Sequence, residues 1–408
     1  MNLKRYIHID ELIKIPMILL VVSFVVFSTE YYGRYIMMGC IFIIFFITIV
    51  KNKGVYKFNI PIIFFFWILL IIYTFTSCLW SVSPKETLGA AKSLIEILFM
   101  IFVVYNYFCH VYNPVCQLLS IIKISSVIVV LYTVYYYGLT ALIEMGALGI
   151  RLQNGYANVN TVGILAAIGI LIQINEFLII KKINWKIIFC FPNFFVVALT
   201  QSRKALLTII LGILFLYILN VEKKITITNI IKLIFTLAIV AATFSFIINL
   251  SFMAGIKERI MDLILGLIYE QDVDASLAVR LDMIDIGIAS FRESPILGHG
   301  IGTSGVILRN YYKDAYFHNN YVEILSGGGV FGIIIYYGVH IYLLLKLYKS
   351  KKYKSKYRNI CLALLIVVLF MDYGLVTYRG KMNYIYLILC FLEILPSVRG
   401  RIDTDYAK

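Results

Sequence analysis

Charge is scarce in this chain. Only 14% of its 408 residues are Asp, Glu, Lys or Arg, where a soluble domain carries about a quarter. Acidic residues are the scarcer kind, 22 against 37 basic ones. That charge content excludes a string of soluble domains, although the length would allow two or three. The seven cysteines form no CxxC pair. This argues against a zinc ribbon or a disulfide framework and leaves small apolar packing residues. The five histidines include no HExxH pair, so that zinc-site pattern is missing too. Only seven prolines interrupt the chain. No internal repeat of 20–50 residues and no low-complexity tail is present. A run at Leu12–Thr29 resembles a signal peptide, but no small-residue cleavage site follows it and a second apolar run does. The N-terminus is therefore read as retained.

What is present is hydrophobic residue, 61% of the sequence. Mean hydropathy is +0.89. A bilayer-crossing helix needs roughly 20 apolar residues. Runs of about that kind lie near 15–29, 35–50, 60–78, 88–108, 119–137, 158–175, 185–200, 204–219, 230–250, 319–347, 359–377 and 382–396. The expected fold is all-α: a polytopic membrane protein with about 12 transmembrane helices, forming one integral membrane domain over 1–408. The net charge of +15 does not point to nucleic acid, because no basic patch with interleaved exposed aromatics stands apart from the apolar runs.

The basic residues orient the stack. Lys51, Lys53 and Lys57 follow the second run, Lys181, Lys182 and Lys186 the sixth, and Lys223 and Lys224 the eighth. Seven Lys or Arg residues between Lys346 and Arg358 follow the tenth. All fall on the side of Lys4 and Arg5, which the positive-inside bias makes cytoplasmic. Both termini are then cytoplasmic. The outward loops are 30–34, 79–87, 138–157, 200–204, 251–318 and 378–381. The longest, 251–318, has room for amphipathic helices at 256–269 and 277–291. A turn-rich stretch with Ser294, Pro295, Gly298, Gly300, Gly302 and Gly305 ends the second of them.

The informative residues share this outer face. Arg151 precedes the sixth run. Arg203 sits between the seventh and eighth, where a very short loop holds it. Arg280, Arg292 and Arg309 lie in the large loop, and Arg379 lies between the last two runs. Arginine offers a planar fork of donors that fits phosphate oxygens. A group of them points to a lipid-linked phosphate or diphosphate whose departing charge they would stabilise. His318 opens the tenth run. The positive end of the helix macrodipole there favours a neutral imidazole, able to take a proton from a sugar hydroxyl. Asn319 and Asn320 are placed to cap that helix or to bind sugar hydroxyls, and Glu323 to orient His318 or pair with an arginine. Gly327, Gly328, Gly329 and Gly332 read as a close-packing face, with a local helix break as the alternative. Asp272 and Asp274 read as a solvated acidic loop rather than a metal-binding pair.

Three segments together resemble the O-antigen ligase/polymerase superfamily of bacterial membrane glycosyltransferases. The first runs from Arg280 through Ser294-Pro295-Ile296-Leu297-Gly298-His299-Gly300 to His318-Asn319-Asn320-Tyr321-Val322-Glu323-Ile324-Leu325 and Gly332. The second is Gln201-Ser202-Arg203, followed by Lys204 where the family commonly has a small residue. The third is Asn154-Gly155-Tyr156-Ala157-Asn158-Val159-Asn160, with Val159 in place of the family's proline. The ligase-like region covers about 150–345. The resemblance implies an inverting, metal-independent glycosyl transfer without a cofactor, on undecaprenyl-diphosphate-linked sugars at the outer face of the bacterial inner membrane. Arg203 and Arg280 would hold the diphosphate, and His318 would be the general base. Arg151, Asn158, Asn160 and Asn319 are carried over as substrate contacts, and Arg292, Glu323 and Arg379 complete the expected substrate-binding set. The expected activity is polymerisation of lipid-linked repeat units into capsule or O-antigen, with a flippase and a chain-length regulator as accompanying partners. The alternative acceptors are a lipid, the wall or a protein, which would make the enzyme a ligase. A lipid-linked sugar transporter is the rival from another class. It would use intramembrane charge such as Lys92, Glu96 and Asp372, whereas the distinctive charge here gathers in the outer loops.

Overall fold

A computed structural model describes residues 11–27, 32–56, 59–152, 155–180, 188, 190–220, 249, 255, 257–258, 261, 275–313, 315–350 and 355–395. Every regular element among them is helical. In chain order they are α1 (Lys14–Val26), α2 (Gly33–Lys51), α3 (Ile62–Thr76), α4 (Pro84–Phe108), α5 (Pro114–Tyr137), α6 (Leu139–Ala147), α7 (Val159–Ile180), α8 (Cys190–Thr200), α9 (Arg203–Asn220), α10 (Ala275–Glu293), α11 (Ser304–Ile307), α12 (Asn320–Lys349), α13 (Arg358–Met371) and α14 (Lys381–Ile394). Seven are long and apolar enough to cross a bilayer, and three shorter apolar helices accompany them. The chain is an integral membrane protein. The expected ninth run at 230–250, the amphipathic stretch at 256–269 and the Asp272–Asp274 pair fall outside the described residues, isolated positions excepted.

The described residues divide into two compact units. One comprises 1–17, 38–118 and 275–408, the other 18–37 and 119–274. In the second, small residues let helices close on one another. A Cβ on Gly169 of α7 would meet Ser126 Oγ of α5 at 2.1 Å, and one on Gly212 of α9 would meet Leu171 of α7 at 2.2 Å. In low-dielectric surroundings such contact supplies the dispersion energy that holds helices together. Lys123 of α5 donates to Glu176 of α7 at 2.6 Å. Each charge neutralises the other where a lone ion would be costly.

The first unit is built around a bend in α12. Gly329 has φ 60° and ψ −160°, a conformation open essentially to glycine alone. The turn at 294–300 lies backbone to backbone against this bend. A Cβ on Gly298 would fall 2.5 Å from Gly327 C, and one on Gly329 would fall 2.3 Å from Ile296 O. Groups released by the break find partners there. His299 N donates to Ser326 O at 2.9 Å and Val330 N to Pro295 O at 2.9 Å. Tyr73 Oη donates to Gly328 O at 2.7 Å.

The bend reverses the chain. Asn320 Nδ2 donates to Tyr337 Oη at 2.8 Å across 17 residues, which a straight helix would hold about 25 Å apart. The single tenth span read from 319–347 is therefore corrected to two arms. The short arm (320–328) folds back beside a long one (330–349), and the long arm alone has about the 20 residues a crossing needs. His318 accordingly opens the short arm rather than a transmembrane helix. Gly329→Ala is expected to cost about 1–3 kcal/mol from the backbone conformation alone. It should also lower the melting temperature of the purified protein and push the 294–300 turn off the bend. A variant melting with the wild type would show that the bend is not required.

Candidate active site

In the second unit, the α8–α9 junction is only Gln201 and Ser202. Gln201 has φ 46°, one of four positive-φ residues other than glycine among those described. This tight reversal places Arg203 as the first residue of α9, half-buried. Two other expected site residues are tied to the same junction. Arg151 Nε donates to Thr200 O at 3.0 Å, and Leu152 N donates to Leu199 O at 3.0 Å. Ser202 Oγ donates to Asn160 Oδ1 at 2.9 Å. Asn158 Oδ1 accepts from Asn160 N at 3.0 Å, turning the chain into α7. Arg151, Asn158, Asn160 and Arg203 thus form one constellation. A guanidinium at a helix N-terminus sits at the positive end of the macrodipole. That combination favours an anion. The loop is also packed by Tyr156, whose ring lies 4.9 Å from that of Tyr132 and 5.2 Å from that of Tyr136. Burial pushes the Tyr156 hydroxyl up to about 12, with the hydrogen bond to Thr133 opposing, so it is a neutral packing group.

In the first unit, α10 packs one side on the approach to α12. Met283 joins Leu308, Phe317 and Val322 in a buried cluster. Phe317 is fully buried and fixes the next residue, His318, which is partly exposed. His318 has φ 54°, and its ring centroid lies 3.9 Å from that of Tyr316. A positive φ on a residue bearing a Cβ is held only where the surroundings impose it. Here Phe317 anchors one side and Asn319 the other. Asn319 Oδ1 accepts from Val322 N at 3.1 Å, a standard N-cap that spends this oxygen on the helix. Asn320 turns inward. Its backbone N donates to Asp372 O at 2.7 Å. Its Nδ2 donates to Tyr337 Oη, and its Oδ1 accepts from Thr377 N and Tyr378 N at 2.9 and 3.0 Å. Tyr337 Oη and Thr377 Oγ1 both donate to the Asp372 carboxylate, at 2.9 and 2.6 Å. This buried network fastens the start of α12 to the turn that carries Arg379.

Glu323 is buried, and its Oε1 accepts from Ser304 Oγ at 2.7 Å. Arg379 is exposed, stacks on the Tyr378 ring at 5.1 Å and lies within electrostatic reach of Glu323. Arg280, half-buried on α10, acts on Tyr316: burial raises the Tyr316 hydroxyl, and Arg280 pulls it partly back. Arg280 and His318 therefore both neighbour Tyr316, and Glu323, with Arg379 near it, lies in the first turn of the helix that follows. Arg292 is not among them. It is exposed in the last turn of α10, about 18 Å along the helix axis from Arg280. Arg292→Ala is expected to leave catalytic efficiency within about twofold of wild type, as for an exposed substitution away from a site. Steady-state rates compared with those of Arg280→Ala check this.

Sequence reasoning did not find Ser304, Tyr316, Asn320 as a hub, or Tyr337. Asp372 had a signal, an acid beside apolar runs, but not an assignment. No curated protein matches the chain. Residues 188–337 match the family model described as O-antigen ligase. The matched stretch contains Arg203, Arg280 and His318 and supports the resemblance to the O-antigen ligase/polymerase superfamily.

Proposed function

We propose that the protein is a polysaccharide polymerase. It transfers glycan from an undecaprenyl-diphosphate-linked donor onto a lipid-linked repeat unit at the outer face of the cytoplasmic membrane, with both termini inside. The observation that supports the reading is that His318 and Arg280 both neighbour Tyr316 at a strained helix start, one turn from Glu323 and its neighbour Arg379, within a chain whose 188–337 region matches the ligase family model. In the proposed step, His318 takes the proton of an acceptor hydroxyl as that oxygen bonds the anomeric carbon. The bond from that carbon to the diphosphate breaks, and its electron pair leaves on the diphosphate. Arg203 and Arg280 hold and neutralise the departing charge through forked hydrogen bonds. Attack opposite the leaving group inverts the anomeric centre. No cofactor or metal enters this scheme. Arg151, Asn158, Asn160 and Arg379 are assigned to substrate positioning.

The family description favours one second reading, in which a finished glycan passes to a lipid, wall or protein acceptor. The chemistry is shared and only the acceptor differs. Purified full-length protein incubated with a defined undecaprenyl-diphosphate oligosaccharide separates the two. A ladder of products supports the polymerase. A single addition, seen only with a foreign acceptor, supports the ligase. No transfer to any acceptor contradicts both.

A further inference from the structure

The loop that leads to His318 has a second face. On one side, Ser304 bonds Glu323 and Leu308 packs against Phe317. On the other, Gly302, Gly305, Val306, Arg309 and Lys313 line an open cavity of about 440 Å³, with Glu86 from the first turn of α4 on its wall. That volume is in the range of ligand sites, about 300–1,000 Å³. The walls are set by backbone packing. Gly302 has φ 95°, and a Cβ there would fall 2.8 Å from Ala90 Cβ. Thr303 is buried, and its Oγ1 donates to Gly300 O at 2.7 Å.

Among the described residues, neither Arg309 nor Lys313 has a side-chain hydrogen bond or ion pair. Among the described lining residues, the cavity therefore presents two cations and one carboxylate. Two cations call for an anion. The Glu86 carboxylate would repel a densely charged diphosphate, but it accepts hydroxyl hydrogen bonds well. A group bearing one negative charge and several hydroxyls matches both requirements. Leu308 adjoins Arg309 and touches Phe317, which adjoins His318, so whatever occupies the cavity is held on the same scaffold as the proposed base.

We propose that this cavity is a glycan subsite for an acidic sugar, whose carboxylate pairs with Arg309 and Lys313 while its hydroxyls face Glu86. This rests on the proposed function in that the glycan bound is a substrate. Binding itself is measurable without turnover. The test uses full-length protein in phosphatidylcholine nanodiscs at about 0.15 M salt, where exposed charge is screened to about 8 Å. The probes are tri-galacturonate and neutral tri-galactose. The wild type should bind tri-galacturonate at least about tenfold more tightly, roughly one charge-assisted pair. The Arg309→Gln/Lys313→Gln double variant should lose that preference while keeping the wild-type melting temperature. The two single variants should each lose part of it. Equal binding of the two probes, or an unchanged preference in the double variant, overturns the subsite. Phosphatidylglycerol nanodiscs supply the remaining arm: if the anionic lipid alone abolishes Arg309- and Lys313-dependent probe binding, the cavity is a headgroup site and the glycan assignment fails. His318→Ala should retain the probe preference. An active His318→Ala with intact preference would sink the proposed function and leave the subsite standing. An inactive His318→Ala without any probe preference in the wild type would do the reverse.

Discussion

His318→Ala should reduce glycan transfer by about 10²–10⁴-fold, the usual contribution of a positioned general base, with little change in melting temperature. The ring is partly exposed and lies against Tyr316, so its removal opens no buried cavity. His318→Gly is the sharper variant. Position 318 has φ 54°, which glycine adopts without a Cβ penalty. The substitution should therefore leave the fold as stable as the wild type, or nearly so, and still abolish transfer. Product length on a denaturing gel and the initial rate with a defined lipid-linked donor are the readouts. Near-normal rates in His318→Gly would remove the base from the scheme. A large loss of stability in either variant would mean that the ring is structural.

Arg280→Lys should be almost as damaging as Arg280→Ala, each lowering the rate by about 10²–10³-fold, as for the loss of one donor to developing negative charge. Lysine keeps the charge but loses the planar fork that meets two phosphate oxygens at once. Arg280 is half-buried on α10, and Met283, one turn on, anchors that helix in the cluster holding Phe317. The helix that carries the guanidinium is thus held in place. Full activity in Arg280→Lys would reduce the residue to a general positive charge. Loss in the alanine variant alone would say the same.

The residues differ in how legible they were. The α8–α9 junction was readable, because Gln201-Ser202-Arg203 is a polar interruption between two apolar runs and a two-residue turn leaves Arg203 few places to go. The helix Ala275–Glu293 was readable from its apolar spacing. Gly329 gave a partial signal. Four glycines in six residues suggested either packing or a break, and the structure has both. The reversal could not be read, because it depends on the backbone of Gly298 meeting that of Gly327, a contact between segments that local pattern does not link. Asn319 and Asn320 show the limit most plainly. Identical side chains in adjacent positions do different work, one capping its own helix and the other joining Asp372, Tyr337 and Thr377. Only the direction each side chain takes from the helix start separates them. Glu323 was singled out for His318 or an arginine, yet its direct partner is Ser304, whose role no motif announced.

The claim on which the account stands is that Arg203, Arg280 and His318 act on one diphosphate. The most direct measurement is a structure of the full-length protein with undecaprenyl diphosphate bound. The account predicts diphosphate oxygens within about 2.7–3.2 Å of guanidinium nitrogens from Arg203 and Arg280 together, with the His318 imidazole alongside the bond that breaks. A diphosphate held by only one of the two arginines, or seated away from His318, would contradict it.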